Sequence, residues 1–208
     1  MTIELLNVDC MDYMRDLPDK FFDLAIVDPP YGINLPIAET GKWKRKIHEK
    51  KLWDKETPPQ NYFDELNRIS KNQIIWGANY FISKIKKDSP CWIFWDKKNG
   101  TNFMSDGELA FTSFNTAVRR FEYNHIQDYN AGIERIHPTQ KPVKLYDWLL
   151  QNYAQPGQKI LDTHLGSGSS AIAAHYFGVD FVGCELDTDY YNAAVKRFKL
   201  ATAQASIF

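Results

Sequence analysis

The sequence predicts an α/β fold with a doubly wound, mostly parallel sheet of about seven strands and an antiparallel strand at one edge. Short apolar runs alternate with helical stretches through most of the chain. A glycine-bearing turn, Leu165-Gly166-Ser167-Gly168-Ser169, separates a strand from a helix near the C-terminus. An acid, Glu185, closes the strand after that helix, at the spacing of about twenty residues expected of a nucleoside-binding crevice.

Taken in order, residues 3–8 predict an apolar strand, 11–17 a short helix and 21–27 a buried strand. Asp28-Pro29-Pro30 ends that strand, because successive prolines offer no N–H to a sheet ladder. Periodicity then vanishes, and residues 32–60 read as a mobile basic loop. A loop of that length inside a compact domain is usually functional. A helix over 62–69, a buried strand over 73–76, a helix over 79–85 and an aromatic strand over 91–95 follow. Residues 108–114 and 117–123 read as a strand pair at the sheet edge. Pro142 opens an amphipathic helix carrying Val143, Leu145, Tyr146, Leu149 and Leu150. The chain then runs through strand 159–162, helix 169–177, strand 181–184 and helix 190–200.

A single domain over residues 1–208 suits the length, and 44% hydrophobic residues are ample for its core. Apolar runs such as Cys91-Trp92-Ile93-Phe94-Trp95 are far too short to span a bilayer, and no signal-peptide pattern opens the chain. Cys10, Cys91 and Cys184 are widely spaced and form neither a disulfide framework nor a zinc-ligand cluster. These features predict a cytoplasmic protein with no membrane association and no metal. A net charge of −1 gives no general attraction to nucleic acid, so any such binding needs a local basic patch.

At the glycine turn the backbone can pass close to a ligand, and the helix start offers N–H groups to an anion. With Glu185 placed to accept ribose hydroxyls, a nucleoside bearing an anionic group is the natural ligand. A nicotinamide dinucleotide also fits Gly166-x-Gly168-x-x-Ala171, but that fold needs further strand–helix units, and only one helix follows Glu185. The missing strands must come from the N-terminal part, so a sheet completed that way carries its cofactor turn late and the rest of its site early.

That order, with Asp28-Pro29-Pro30-Tyr31 early and the glycine turn late, resembles the β group of DNA amino-methyltransferases. These have a Rossmann-like, S-adenosylmethionine-dependent methyltransferase fold in circularly permuted order. The resemblance covers almost the whole chain and rests on Asn7-Val8-Asp9-Cys10, Asp28-Pro29-Pro30-Tyr31, His137-Pro138-Thr139-Gln140-Lys141-Pro142, and Asp162 through Ser169 with Glu185. It implies that Asp162, His164, Gly166, Ser167, Gly168 and Ser169 surround the methionine end of S-adenosylmethionine and that Glu185 holds the ribose. It also implies that Thr139 and Lys141 sit beside the methionyl carboxylate and that Asp9 and Cys10 line the adenine pocket. Asp162-Thr163-His164 departs from the usual Asp-Pro-Phe and sets a titratable ring near a sulfonium cation.

The tetrapeptide suits methylation of an exocyclic amine, whose lone pair is delocalised into the ring. Acceptors for both amine protons, the Asp28 carboxylate and the Pro29 carbonyl, draw the nitrogen toward pyramidal geometry, and the prolines hold that carbonyl inward. Tyr31 offers a stacking face to a base that has left the duplex. By the same resemblance Asp28 borders the cofactor and favours adenine N6; in that family a serine there would favour cytosine N4, which stays open as an alternative. A nucleotide-binding oxidoreductase and an inactive DNA-binding homologue are the alternatives of other classes.

Duplex DNA is the expected partner, in a bacterial cell or phage-infected host. Between residues 42 and 51 lie six Lys or Arg and one acid, including Lys42, Trp43, Lys44, Arg45 and Lys46. That stretch is expected to neutralise phosphates beside the base pocket. Arg119 and Arg120 form a second, smaller patch. Residues 115–136 are the candidate target-recognition region. Their shortness implies a simple recognition sequence, or help from loop 32–60 and from a second subunit of a homodimer.

Overall fold

A strand covered on both faces needs apolar side chains at every position rather than at alternate ones. The computed structural model describes residues 1–33, 54–100, 105–124, 127–128 and 131–203, and in it β2 (Phe22–Val27) is such a strand from Leu24 onward. Leu24 and Ile26 pack into the layer on one face, Ala25 and Val27 into the layer on the other. Around it lie β1 (Ile3–Leu6), β3 (Ser70–Trp76), β4 (Trp92–Asp96), β5 (Gly107–Thr112), β6 (Arg119–Glu122), β7 (Lys159–Asp162) and β8 (Asp180–Cys184). Their order across the sheet is β1-β8-β7-β2-β3-β5-β4-β6.

One layer holds α1 (Cys10–Arg15) and α2 (Gln60–Ile69), which bury Met14, Tyr62, Phe63, Leu66 and Ile69. The other holds α4 (Val143–Tyr153), α5 (Ser169–Phe177) and α6 (Thr188–Ala203), with Leu145, Leu149, Ala171, Ala174 and Ala194 in the core. No helix among the described residues is long and apolar enough to cross a membrane. The two ends of the chain meet at the centre of the sheet, where β7 runs parallel to β2 with Leu24 opposite Ile160 and Ala25 opposite Leu161. The late strand–helix units thus complete an early-strand sheet, as the position of the glycine turn required.

Three expectations are corrected. Eight strands form the sheet among the described residues, and the reversed one is internal: β5 lies between β3 and β4 and is antiparallel to both. The edge strand, β6, runs parallel to β4. β5 and β6 therefore do not pair with each other but flank β4 on opposite sides. Residues 113–118, Ser-Phe-Asn-Thr-Ala-Val, lack the Gly or Asn-Gly signal of a tight hairpin and instead carry the chain past β4. The helix expected over 79–85 is a single 3-10 turn, Ala78–Tyr80, followed by the short α3 (Ile82–Ile85). Phe81, at φ −143, breaks the helical run between them.

Gly77 opens that turn with φ +67, and a Cβ there would lie 2.0 Å from Cε1 of Tyr31. The ring of Tyr31 occupies the space a side chain would fill. Gly77→Ala is therefore expected to cost about 2 kcal/mol or more, combining left-handed strain with overpacking. A urea titration checks this: the midpoint should fall with the slope unchanged.

Candidate active site

In an open parallel sheet, ligands bind beyond the C-terminal strand ends where the chain order reverses. Here that place is the β7/β2 boundary, with β8 and β1 beyond β7. Asp28 follows β2, Asp162 ends β7, Glu185 follows β8 and Asp9 lies just past β1. Four of the acids singled out in the sequence thus stand at the ends of four adjacent strands.

The glycine turn is braced from inside. Asp162 is 1% exposed, and its two carboxylate oxygens accept from the His164 N–H at 3.0 Å and the Ser170 hydroxyl at 2.6 Å. Burial pushes its carboxyl up to about 7 against the pull of those donors. Asp162 therefore ties β7 to the first turn of α5, with both oxygens engaged inside the fold. Ser167 and Ser169 are also buried. Their hydroxyls lie 3.1 Å apart, Ser169 donates to the Lys141 carbonyl at 2.7 Å, and Arg197 of α6 donates to the Ser167 carbonyl and the Ser169 hydroxyl, both at 2.8 Å. What the turn leaves partly outward is backbone at half-buried Gly166, with φ of +52; Gly168, with φ of +73, is buried against Ala194 of α6.

Glu185 is half-buried, and burial raises its carboxyl pKa. One oxygen accepts the Gly166 N–H and the other the Asp187 N–H, each at 2.9 Å. Each oxygen keeps a further lone pair for a ligand hydroxyl. Asp9 caps α1 by accepting the Met11 N–H at 2.7 Å. Burial first, and the Asp9 charge second, push the Cys10 thiol up to about 12, so it stays protonated. Thr139 is half-buried, its hydroxyl 3.1 Å from Nδ1 of His137.

His164 resolves the question raised by its departure from the family pattern. Its Nδ1 lies 2.9 Å from the Thr163 hydroxyl, which is 2.6 Å from that of Tyr62. Desolvation holds the imidazole down to about 4, so at neutral pH it carries no charge to oppose a sulfonium.

On the other side of the boundary, Asp28 sits in a cluster of charges. Tyr31 donates its hydroxyl to Oδ1 of Asp28 at 2.6 Å, and Lys141 donates to Oδ2 at 2.6 Å. The same ammonium is 2.9 Å from Oε2 of Glu108, whose Oε1 meets Lys97 at 2.6 Å. Burial raises the Asp28 pKa; Lys141 opposes this and Glu108 adds to it. Burial acts on Glu108 in the same direction, but Lys141 and Lys97 outweigh it and hold its carboxyl down to about 2. Lys141 would lose its proton to burial alone; the two carboxylates overcome that and raise its pKa. Its ammonium is thus directed to Asp28 and Glu108, while its backbone carbonyl meets the glycine turn.

Tyr31 is held at both ends. Its N–H and that of Gly32 donate to Oδ1 of Asp54 at 2.8 and 3.0 Å. Its ring stacks on Tyr80, with centroids 5.1 Å apart and planes 15° apart. Tyr80 is 48% exposed and forms the outer member of the pair.

Glu108, Lys97, Asp54, Tyr80 and Arg197 were not singled out in the sequence. Glu108 had a signal, a charge beside the apolar Leu109-Ala110-Phe111 run of a strand; the others had none. Arg119 and Arg120 lie on the edge strand, with three strands between it and β2, and Arg120 is paired with Glu122 and Asp96. Lys42, Trp43, Lys44, Arg45 and Lys46 lie outside the described residues.

The profile of a DNA methylase family matches residues 75–196, more than half of the chain. The chain belongs to the DNA methylase family. It is 24% identical to the type II methyltransferase M.BglII of Bacillus subtilis over 248 aligned residues, covering 92% of this chain and 67% of that one. It is 22% identical to the type II methyltransferase M1.MboII of Moraxella bovis, covering 90% and 93%. Among solved structures, the complex of M1.HpyAVI with S-adenosylmethionine superposes with a TM-score of 0.64 at 19% identity, over 94% of this chain and 100% of that one. The cytosine-N4-specific PvuII DNA methyltransferase superposes at 0.62 with 11% identity, over 98% and 91%. At these identities the likeness is one of fold. In this DNA methylase the matched span contains Lys97, Glu108, Lys141, the glycine turn and Glu185, whereas the tetrapeptide of Asp28 precedes it.

The opposite shifts of His164 and Asp162 have opposite effects on stability. An unfolded histidine titrates near 6.5, so between there and about 4 the unfolded chain binds the extra proton and acid removes stability. Asp162, raised to about 7, is stabilising at low pH and loses that contribution as pH rises through its folded value. His164→Phe removes only the first effect. Its melting temperature relative to the native protein is expected to rise steadily from pH 6.5 to 4, which parallel thermal scans measure; parallel profiles would contradict the assignment.

Proposed function

We propose that this DNA methylase transfers a methyl group from S-adenosylmethionine to the exocyclic N6 of an adenine extruded from duplex DNA. The observation that carries the proposal is the placement of Asp28 at the end of β2, directly beside the strand that leads into the glycine turn. The crevice fits the cofactor: Glu185 has lone pairs for ribose hydroxyls, half-buried Gly166 leaves backbone accessible just before α5, and His164 is uncharged. Bound there, S-adenosylmethionine supplies an electrophilic methyl group on sulfur.

The chain's own residues prepare the amine. The Asp28 carboxylate accepts a hydrogen bond from one N6–H and the Pro29 carbonyl accepts one from the other, which localises the nitrogen lone pair toward the methyl donor and places Asp28 to take the proton the nitrogen sheds on methylation. Among the described residues no N–H is bonded to that carbonyl. Tyr31 and Lys141 orient the carboxylate through one bond to each oxygen and leave a second lone pair on each. The Tyr31–Tyr80 pair gives the extruded base an aromatic surface, the outer ring being the accessible one. The basic stretch at residues 42–51 supplies phosphate contacts. The aspartate favours adenine, while the fold is shared with a cytosine-N4-specific enzyme, so the product decides between the two amines.

Incubation with mixed-sequence duplex DNA and labelled cofactor, then nucleoside analysis, is expected to yield 6-methyladenine. Recovery of 4-methylcytosine alone would overturn the choice of base. Asp28→Asn is expected to slow transfer at least about a hundredfold while leaving cofactor affinity within a few fold by calorimetry.

A further inference from the structure

The cluster at Asp28 contains more charge than accepting an amine proton requires. Asp28 and Glu108 are balanced by Lys141 and Lys97 in one closed set drawn from four parts of the fold: the end of β2, β5, the segment before α4 and the residue after β4. Lys141 is 4% exposed, and among the described residues its ammonium meets this set, with the Tyr31 hydroxyl at 3.3 Å and the rings of Tyr31 and Trp76 at 5.7 and 5.5 Å. Beyond this set, Tyr146 of α4, Tyr62 of α2 and Asp162 at the end of β7 are the titratable groups that interact electrostatically with Asp28.

The geometry divides Lys141 between two carboxylates. Facing Asp28 alone, a desolvated ammonium at 2.6 Å would draw electron density from the carboxylate and weaken it as an acceptor. Oε2 of Glu108, at 2.9 Å, takes up part of that charge. Lys97, 2.6 Å from the opposite oxygen of Glu108, takes up part of that carboxylate's charge in turn and limits how far Glu108 relieves Lys141. We propose that Glu108 is a positioning residue for methyl transfer: seated between Lys141 and Lys97, it sets how strongly Lys141 polarises Asp28, and so how well Asp28 accepts the protons of the target amine. This rests on Asp28 being that acceptor. The effect of Glu108 travels through Lys141, and through the Tyr31 hydroxyl 3.3 Å from Oε2, rather than by acting on the reacting groups itself.

Single-turnover transfer by the full chain, with saturating S-adenosylmethionine and DNA across pH, tests the proposal. The acid limb of the native profile reports protonation of Asp28. Glu108→Gln keeps the shape and removes the charge, leaving Lys141 to act on Asp28 alone. The limb should move to lower pH by about one unit, with the plateau rate down about tenfold and KM for DNA nearly unchanged. Lys97→Met removes the cation on the far side of Glu108 and should move the limb the other way, to higher pH. Loss of packing has no reason to shift the two limbs in opposite directions. An unmoved limb in both variants, or in Lys97→Met alone should Glu108→Gln not fold, would overturn the proposal. Full activity in Asp28→Asn would instead remove the reading beneath it, whatever the limbs do.

Discussion

The contact on which the site depends is the Lys141 ammonium between the carboxylates of Asp28 and Glu108. An ion pair drawn out of water gains little over an apolar substitute, because desolvation offsets most of the attraction. Removing one member, however, strands the other charge and costs about 3–5 kcal/mol. Such a contact is a poor source of stability and a strong determinant of arrangement. It joins positions 28, 108 and 141, and through the Lys141 carbonyl it reaches Ser169 at the head of α5. The two sides of the crevice are thereby fixed against each other by one residue that belongs to neither.

That residue also shows where a sequence stops being legible. The parallel sheet, the β2 strand, the glycine turn and the bounds of the helix over 169–177 could all be read from local patterns of apolar spacing and turn chemistry. Asp28 and Glu185 could be placed because each ends a strand. Lys141 was recognised through its His-Pro-Thr segment, but the direction of its side chain depends on carboxylates 113 and 33 positions away, which no local pattern encodes. The same holds for Lys97 and Asp54, whose importance lies in a partner remote along the chain. The reversal of β5 between β3 and β4 is of this kind too. Two neighbouring apolar runs suggest a hairpin, and only the β4 strand between them shows otherwise.

The crevice combines two electrostatic regimes. On the glycine-turn side the groups are made quiet: Asp162 is spent on internal donors, Cys10 stays a thiol and His164 stays neutral. With the imidazole neutral, His164 adds no cation to that side of the crevice. On the Asp28 side the charges are retained and balanced within the cluster. The departure at Thr163-His164 fits this division. Its ring contributes an uncharged edge toward Tyr62 in place of the usual phenyl group.

The hollow at Gly77 has a bearing on how such enzymes can be recombined. Tyr31 and Gly77 interlock across β2 and β3, the ring of one filling the absent side chain of the other. The tetrapeptide is therefore not a portable cassette. Grafted onto a relative whose third strand ended in any larger residue, it would bring its aspartate and prolines but lose the seat of its tyrosine. With that seat would go the hydroxyl that steadies Asp28. The inheritable unit is the pair of adjacent strand ends, and chimaeras cut between them would separate a side chain from the space it was shaped to fill.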